Sequence, residues 1–220
     1  MLTIELINHN IPRLQLKDSV SKALTLINDF RLTHLAVVED DKYLGLVSED
    51  DLLDAEEPRM PIELMQENFL KASVQENEHF LNAVTFSNQF DTTVVPVINE
   101  EKELMGVITT SDLLKTLGNF AGTNEIGGII VLEMERSQFA ISEISRMVES
   151  NDATILHLNT TVHSETGMLT VTIHLNKKEI SAIVSTFERY EYDVIYYFGN
   201  ENFENEIHSN YRHLMNYLDI

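Results

Sequence analysis

One pattern, used twice, sets the terms on which this chain can fold. Gly106-Val107-Ile108-Thr109-Thr110-Ser111-Asp112-Leu113-Leu114 carries a glycine, an apolar pair, a hydroxyl residue, an Asp three positions later and a Leu pair. Gly45-Leu46-Val47-Ser48-Glu49-Asp50-Asp51-Leu52-Leu53 carries the same succession. The apolar pair, β-branched in the second copy, asks for a buried strand. The hydroxyl residue and the Asp then sit across a helix start, where such side chains accept from free backbone N–H groups. Following the match outward, Ala23-Leu24-Thr25 answers to Ala83-Val84-Thr85, Asn28 and Phe30 to Asn88 and Phe90, and Thr33 and Val37 to Thr93 and Val97, all 60 apart. Gly45 and Gly106 are 61 apart, which places one inserted residue in the turn at 100–103. Ile4-Glu5-Leu6-Ile7 matches Ile62-Glu63-Leu64-Met65 at an offset of 58, which places two more near Asn77. Self-similarity at a fixed period marks one supersecondary unit per repeat, each burying its apolar face on its neighbour.

Within the first unit, Leu14–Leu16 is a brief strand and Val20–Phe30 a helix capped by Asp18 or Ser19, with Val20, Ala23, Leu24 and Ile27 at helical spacing. His34–Val38 and Leu44–Val47 form a hairpin, and Asp50–Ala55 a following helix. Pro58 and Pro61 punctuate the linker. The second unit repeats this. Ile62–Met65 is helical, Leu70–Val74 extended, Glu78–Phe90 a helix, Thr93–Ile98 and Leu104–Ile108 strands, and a last helix runs from Ser111 to Leu117, where Gly118 stops it.

Beyond a glycine-bearing linker at 120–128 the pattern changes. Strand Ile129–Met134, a helix marked by Phe139, Ile141, Ile144, Met147 and Val148, strands Ala153–His163 and Met168–Leu175, helix Glu179–Tyr190 and strand Val194–Phe198 follow in turn. That is a ferredoxin-like β-α-β-β-α-β order. Asn202–Leu218 reads as an extra helix with Phe203, Ile207, Tyr211, Leu214 and Leu218 on one stripe. The expected class is α+β, with units at 1–58, 59–120 and 125–199 and a C-terminal helix at 200–220.

The doubled Gly-apolar-apolar-Ser/Thr-x-x-Asp, preceded by Val95-Pro96-Val97 in the second copy and Leu35-Ala36-Val37 in the first, resembles a tandem CBS (Bateman) module. Glu133-Met134-Glu135-Arg136 followed by Ile144-Ser145-Arg146 resembles an ACT domain, with Glu135-Arg136-Ser137-Gln138 where that family carries Asp-Arg-Pro-Gly. The missing glycine normally lets a ligand approach the backbone. Two CBS copies followed by an ACT-like domain resemble the acetoin-utilisation regulatory proteins. The resemblance implies a regulatory, non-catalytic protein that binds an adenosine-containing ligand, requires no cofactor and pairs as a homodimer.

A ribose presents two hydroxyls and suits a hydroxyl and a carboxylate side by side, so Thr109 and Asp112 are the expected ribose contacts. The base is expected against Thr93, Val94, Val95 and Pro96 and the extended segment Phe69, Leu70 and Lys71, since flat apolar walls suit a purine. The first copy offers Ser48, Asp51, Thr33 and His34 as a weaker second site, because Glu49 and Asp50 intervene. A like-charge pair at ~4 Å in near-surface dielectric costs about 4 kcal/mol before screening. Lys71 and Lys115 are the nearest cations for a phosphate. AMP, ADP, ATP or the less anionic S-adenosylmethionine are the candidate effectors.

Charge and composition bound the rest. The net charge is −21. Residues 1–120 hold 9 Lys/Arg against 21 Asp/Glu, and the remainder 6 against 15. A polyanion lacks the cations that neutralise nucleic-acid phosphates or attract an acidic membrane, so neither is an expected partner, and the acidity serves solubility. There is no cysteine, hence no disulfide or thiolate site. The eight His do not fall at metal-ligand spacing, and no Walker, Rossmann or Gly-x-Ser-x-Gly loop occurs. With no apolar run of membrane-spanning length and no basic leader at Met1–Leu6, a cytoplasmic setting is expected. The rival readings are amino-acid sensing through the ACT-like domain, a scaffold with empty clefts, and an enzyme without a recognisable nucleophile.

Overall fold

The computed structural model describes residues 1–199. The expected C-terminal helix at 200–220 lies outside the described residues. The chain divides into two compact units, Met1–Leu117 and the residues from Gly118 on.

The first unit is built from the two repeats. The first repeat contains β1 (Leu14–Gln15), α1 (Val20–Phe30), β2 (His34–Glu39), β3 (Lys42–Ser48) and the short α2 (Glu49–Leu53). The second contains β4 (Val74–Gln75), α3 (Phe80–Phe90), β5 (Val94–Ile98), β6 (Leu104–Thr109) and α4 (Thr110–Phe120). Ser19 caps α1 by accepting from the Lys22 N–H at 3.2 Å, and His79 occupies the same place at α3. Both helices end on a left-handed residue, Arg31 and Asp91. Each repeat folds into a three-stranded sheet with a parallel β1–β2 or β4–β5 pair and an antiparallel hairpin. The hairpin bulges at equivalent places, Val37/Val38 and Val97/Ile98. Buried residues of both repeats, from Leu14 to Leu113, form one continuous core.

The repeats exchange their lead-in segments. The chain's first residues bond to the second repeat, with Thr3 N to Glu78 O at 3.0 Å, Ile4 N to Glu76 O at 3.1 Å and Asn8 N to Val107 O at 2.8 Å. The linker bonds to the first repeat, with Ile62 N to Asp18 O at 2.9 Å and Glu63 N to Leu16 O at 3.0 Å. Leu46 and Leu70 exchange two bonds of 2.9 Å. Segment Ile7–Asn8 therefore lies over Gly106, and Phe69–Leu70 lies over Gly45. This pairing corrects the expected alignment. Asn8 and Leu70 are equivalent, 62 apart, whereas Leu14 and Val74 return to 60. The second repeat thus gains three residues in its 3-10 turn, Ile62–Asn68 against Thr3–Leu6, and loses two from the loop that follows, 71–73 against 9–13.

The second unit holds β7 (Ile129–Met134), α5 (Ile141–Glu149), β8 (Ile155–Val162), β9 (Leu169–Leu175), α6 (Ser181–Arg189) and β10 (Asp193–Phe198). Its sheet runs β10-β7-β9-β8, antiparallel throughout, in the ferredoxin-like order. Ile130, Leu132, Ile144, Val171, Ile173, Ile183 and Phe187 centre its own core. Two expected boundaries move. Phe139 precedes α5 rather than opening it. Gly118 lies inside α4, which continues to Phe120. The stop is supplied by Gly122 at φ 69°, where the Thr123 N–H folds back onto the Gly118 carbonyl at 3.0 Å.

The exchange generates a prediction. A Cβ on Gly106 would meet Ile7 Cγ2 at 2.3 Å, whereas one on Gly45 would meet Phe69 Cβ at 2.7 Å and the Leu70 carbonyl at 3.1 Å. A side-chain methyl can rotate away; a Cβ and a backbone oxygen cannot. Both glycines also hold a positive φ, 151° and 152°. Gly45→Ala is expected to cost more than Gly106→Ala, each in the range of about 1–3 kcal/mol, as read from urea unfolding midpoints at constant slope.

Candidate functional site

The second-copy cleft forms where β6 passes into α4. Thr109 ends the strand, and its hydroxyl oxygen accepts the Asp112 N–H at 3.1 Å. The same hydroxyl donates to Asp112 Oδ2 at 2.7 Å. Asn8, delivered by the exchanged lead-in, donates its amide to that same oxygen at 3.1 Å. Among the described residues, Asp112 Oδ1 faces the Lys115 ammonium, at 4.0 Å. Burial works to raise the Asp112 carboxyl, but the Thr109 hydroxyl, the Asn8 amide and Lys115 outweigh it and hold the group below the usual carboxylate range. A hollow of about 440 Å³ opens beside it, with Asn8, His9, Asp112, Lys115 and Glu5 in its wall. An adjoining hollow of about 290 Å³ shares Asn8 and His9 and adds Arg13 and Met105. Arg13 is held there by Asp41 at 2.7 Å.

The first-copy cleft repeats the frame with different chemistry. Ser48 donates to Asp51 Oδ2 at 2.5 Å and accepts the Asp51 N–H at 3.0 Å. Asn68 reaches Asp51 Oδ1 at 3.5 Å, the outer limit of a hydrogen bond. Three carboxylates, Glu49, Asp50 and Asp51, fill the first turn of α2. Burial lowers the His34 imidazole, against the pull of Asp51, Asp50 and Asp91.

Between the clefts Thr33 of the first repeat meets Thr93 of the second. The Thr33 N–H donates to Thr93 Oγ1 at 2.8 Å, the Thr93 N–H donates to Thr33 Oγ1 at 3.1 Å, and the two hydroxyl oxygens lie 3.1 Å apart. Their carbonyls accept the N–H groups that open the two helices, Glu49 at 2.8 Å and Thr110 at 3.0 Å. Thr33 Oγ1 also lies 2.8 Å from His34 Nδ1.

These positions regroup the expected site residues. Thr109 and Asp112 stand together, as do Ser48 and Asp51. Phe69, Leu70 and Lys71 do not belong beside Thr109 and Asp112; the exchange of lead-ins seats them over Gly45 in the first repeat. The lead-in beside Thr109 and Asp112 is Ile7–Asn10 instead. Val94 and Val95 have no exposed surface, and Pro96 is buried, so their side chains serve the core rather than a ligand wall. Thr93 remains half-exposed at the meeting point. Asn8 and Arg13 were not singled out by the sequence reading. A glycine in the repeated motif asks which chain segment fills the space above it, and that question leads to Ile7 and Asn8. Among the described residues no group of three His, Asp or Glu side chains could hold a metal ion, and no helix is long and apolar enough to cross a membrane.

Comparison with known proteins matches the CBS domain family to residues 4–57 and 63–119. Among solved structures, a CBS domain pair/ACT domain protein from Thermotoga maritima is 19% identical, with 55% of this chain and 98% of that one covered and a TM-score of 0.49. A putative acetoin utilization protein (AcuB) from Vibrio cholerae is 20% identical, covering 56% and 95%, at 0.46. The cytosolic domain of the Mg2+ channel MgtE in complex with ATP is 21% identical, covering 52% and 48%, at 0.44. A curated relative, a homoserine O-acetyltransferase of Methanobrevibacter ruminantium, is 24% identical over 119 residues, 53% of this chain. The chain matches 24% of the length of that relative.

The Asp112 environment is open to direct measurement. Leu70 stands where Asn8 stands in the other repeat, so Asn8→Leu imports the first copy's residue. It removes one of the donors that lower Asp112, and the carboxyl pKa, followed by carbon-detected NMR titration, is expected to rise toward 3.8, its unperturbed value. The stability that Asp112 contributes is present above that unperturbed value and lost as pH falls through the folded one. In Asn8→Leu this loss is expected to be smaller and to be complete at a higher pH, since the folded value lies closer to the unfolded one.

Proposed function

This chain belongs to the CBS domain family, and on that premise we propose that its paired repeats bind an adenosine-containing ligand over the helix start at Thr109–Asp112. CBS pairs are regulatory modules that are usually non-catalytic and often bind adenine nucleotides. The observation that carries the reading is the state of Asp112. Two donors hold its Oδ2, and its Oδ1 stays open beside a hollow large enough for a nucleoside. A pre-oriented carboxylate and an adjacent hydroxyl match the vicinal diol of a ribose without reorganisation on binding.

The charges favour this cleft for a phosphate-bearing ligand. Lys115 and Arg13 line its two hollows, against three carboxylates on the opening turn of α2 in the other copy. AMP, ADP or ATP fit the second-copy cleft. S-adenosylmethionine, with no phosphate, suits the acidic first-copy cleft better. Binding regulates only if the ligand discriminates between two states of the module, and the shared core gives both repeats a stake in the outcome. The ferredoxin-like unit is read as ACT-like and, with the paired repeats, as part of a cytoplasmic homodimer. Amino-acid sensing through that unit is the weaker reading. In the turn Glu135–Gln138, the Gln138 N–H is taken by the Glu135 carbonyl at 3.0 Å and the Glu135 N–H by the Gln138 side chain at 3.2 Å. Those donors are not available to a carboxylate.

Thermal unfolding against AMP, ADP, ATP, S-adenosylmethionine and the amino acids tests the reading. At 100 times its Kd a ligand stabilises by about 2.7 kcal/mol. We expect a nucleotide to raise the midpoint, Asp112→Ala to abolish the rise, and Asp51→Ala to leave it. The opposite pair of results moves the site to the first copy. A flat response to every adenosine compound leaves the scaffold reading, and a response to amino acids alone leaves the sensor reading.

Light scattering tests the assembly. A particle of about twice the chain mass of 25.2 kDa is expected, and a particle of single-chain mass would count against the homodimer.

A further inference from the structure

The ferredoxin-like unit has a hollow of its own, of about 430 Å³, where β7 leaves for α5 and α6 turns into β10. Four of its wall residues are carboxylates, Glu133, Glu143, Glu191 and Asp193. Four more are two tyrosines and two methionines, Tyr190, Tyr192, Met134 and Met168. Gln138 completes the wall, so among the described residues no cationic side chain lines it.

The acids oppose one another. Glu133 and Asp193 are direct partners across the β7–β10 ladder. Their side chains share a face, and like charges placed opposite each other destabilise a sheet. Glu191, two residues before Asp193, adds a third charge to the same wall. Among the described residues none of the four carboxylates is in an ion pair. Arg146 acts on the Tyr192 phenol from nearby but does not line the hollow. A sheet that keeps the Glu133–Asp193 pair gives up stability for it, and a cation seated against both strands restores it. A metal ion is not that cation, because among the described residues no three His, Asp or Glu side chains converge to hold one. Carboxylates spread around a hollow match charge that is spread along a ligand.

The other half of the wall accepts the rest of such a ligand. The Tyr192 ring meets Phe187 edge-on with centroids 5.7 Å apart, and its hydroxyl donates to Glu143 Oε2 at 3.3 Å, so the ring is fixed at both ends. Tyr190 is 55% exposed, and the Arg189 guanidinium lies over its ring at 5.5 Å. That ring already attracts a cation from within the chain. Tyrosine faces and thioethers also take methylene groups. A carboxylate is refused here, since the N–H donors of the turn Glu135–Gln138 are spent within it and the four acids repel an anion. A hollow of this size suits a small molecule rather than a folded partner. We propose that it binds an aliphatic polyamine, with ammonium groups against Glu133, Asp193 and Glu191 and the methylene chain along Tyr190, Tyr192 and the two methionines. The ligand carries no carboxylate, which separates it from an amino acid. The site lies wholly in the second unit and does not depend on the nucleotide reading of the first.

Titration of the full chain with spermidine tests the site. At about 0.15 M salt, attraction to the rest of the acidic surface is screened beyond about 8 Å. Amide NMR is expected to show one saturable set of shifts centred on Glu133, Met168 and residues 190–193. Tyr190→Ala and Asp193→Asn are each expected to weaken binding about three- to fivefold. Asp152→Asn, an exposed change after the far end of α5 and outside the wall, is expected to leave it unchanged. Without spermidine, Asp193→Asn is expected to raise the thermal unfolding midpoint, because it removes the charge facing Glu133. A carboxylate with a purely structural role gives the opposite sign. Arg189→Gln clears the Tyr190 ring and is expected to tighten binding more than Lys178→Gln, which removes the same charge outside the wall. Shifts that spread over the acidic surface without saturating overturn the proposal, as does equal weakening in Asp193→Asn and Asp152→Asn. Tighter binding of phenylalanine or of a trilysine peptide than of spermidine overturns it as well.

Discussion

The close seat of an extended segment over a glycine is the constraint on which the first unit depends. Gly45 accepts Phe69–Leu70, and Gly106 accepts Ile7–Asn8. Because each segment precedes the other repeat in the chain, neither repeat completes its own sheet edge. The exchange ties Leu2–Asn8 to β6 and α3, and ties the linker to β1, β3 and α1. One core follows from this rather than two. A single repeat of about 60 residues buries only about 60% of the surface its unfolded chain exposes and is marginal alone, whereas the joined pair buries Leu14, Ile27, Leu35, Leu46, Ile62, Val95 and Ile108 together. Tyr43 belongs to the same tie. Its hydroxyl donates to the Ala72 carbonyl at 2.9 Å, and burial pushes the phenol well above its usual range.

On this near-symmetric frame, the differences between the copies decide what each cleft can do. The motif places a hydroxyl residue and an Asp at both helix starts, with nearly the same bonds between them. The neighbours differ. Leu70 gives no side-chain bond to Asp51, whereas its equivalent Asn8 holds Asp112. Acids at Glu49 and Asp50 become Thr110 and Ser111. Two anionic side chains near a phosphate outweigh what a helix N-terminus contributes, since the terminus is worth about 0.3–1 kcal/mol and a close like-charge pair several times that. The helix that carries those acids is also only five residues long. The asymmetry of the clefts is thus electrostatic before it is steric.

Much of the fold was legible because it is set locally. The helix Val20–Phe30 matches the apolar spacing and the Ser19 cap at both ends, and the two hairpins follow from β-branched runs around acidic turns. The β-α-β-β-α-β order was legible for the same reason, and the sheet order β10-β7-β9-β8 is what that order produces. The misreadings share one cause, that a one-dimensional repeat does not say which copy a segment joins. Phe69–Lys71 leads into the second copy in sequence, but the exchange seats it over Gly45 of the first. Val94 has the flat apolar side chain that suits a purine wall, yet a strand buried on both faces leaves no side chain free for a ligand. Gly118 was read as a stop, but the signal that ends α4 is the left-handed Gly122 beyond it.

The choice of threonine where the repeats meet follows from the symmetry itself. A residue on a pseudo-two-fold axis faces its own equivalent, so whatever it offers must be met by the same chemistry. Two carboxylates there would repel, two amines would repel, and two apolar side chains would leave the N–H groups of Thr33 and Thr93 without acceptors. A hydroxyl both donates and accepts, so a pair of them can satisfy the two backbone N–H groups reciprocally. The same property leaves the direction of the hydroxyl–hydroxyl bond undetermined by the pair alone. A third group has to break the tie, and the sequence supplies it on one side only, as His34 opposite Val94.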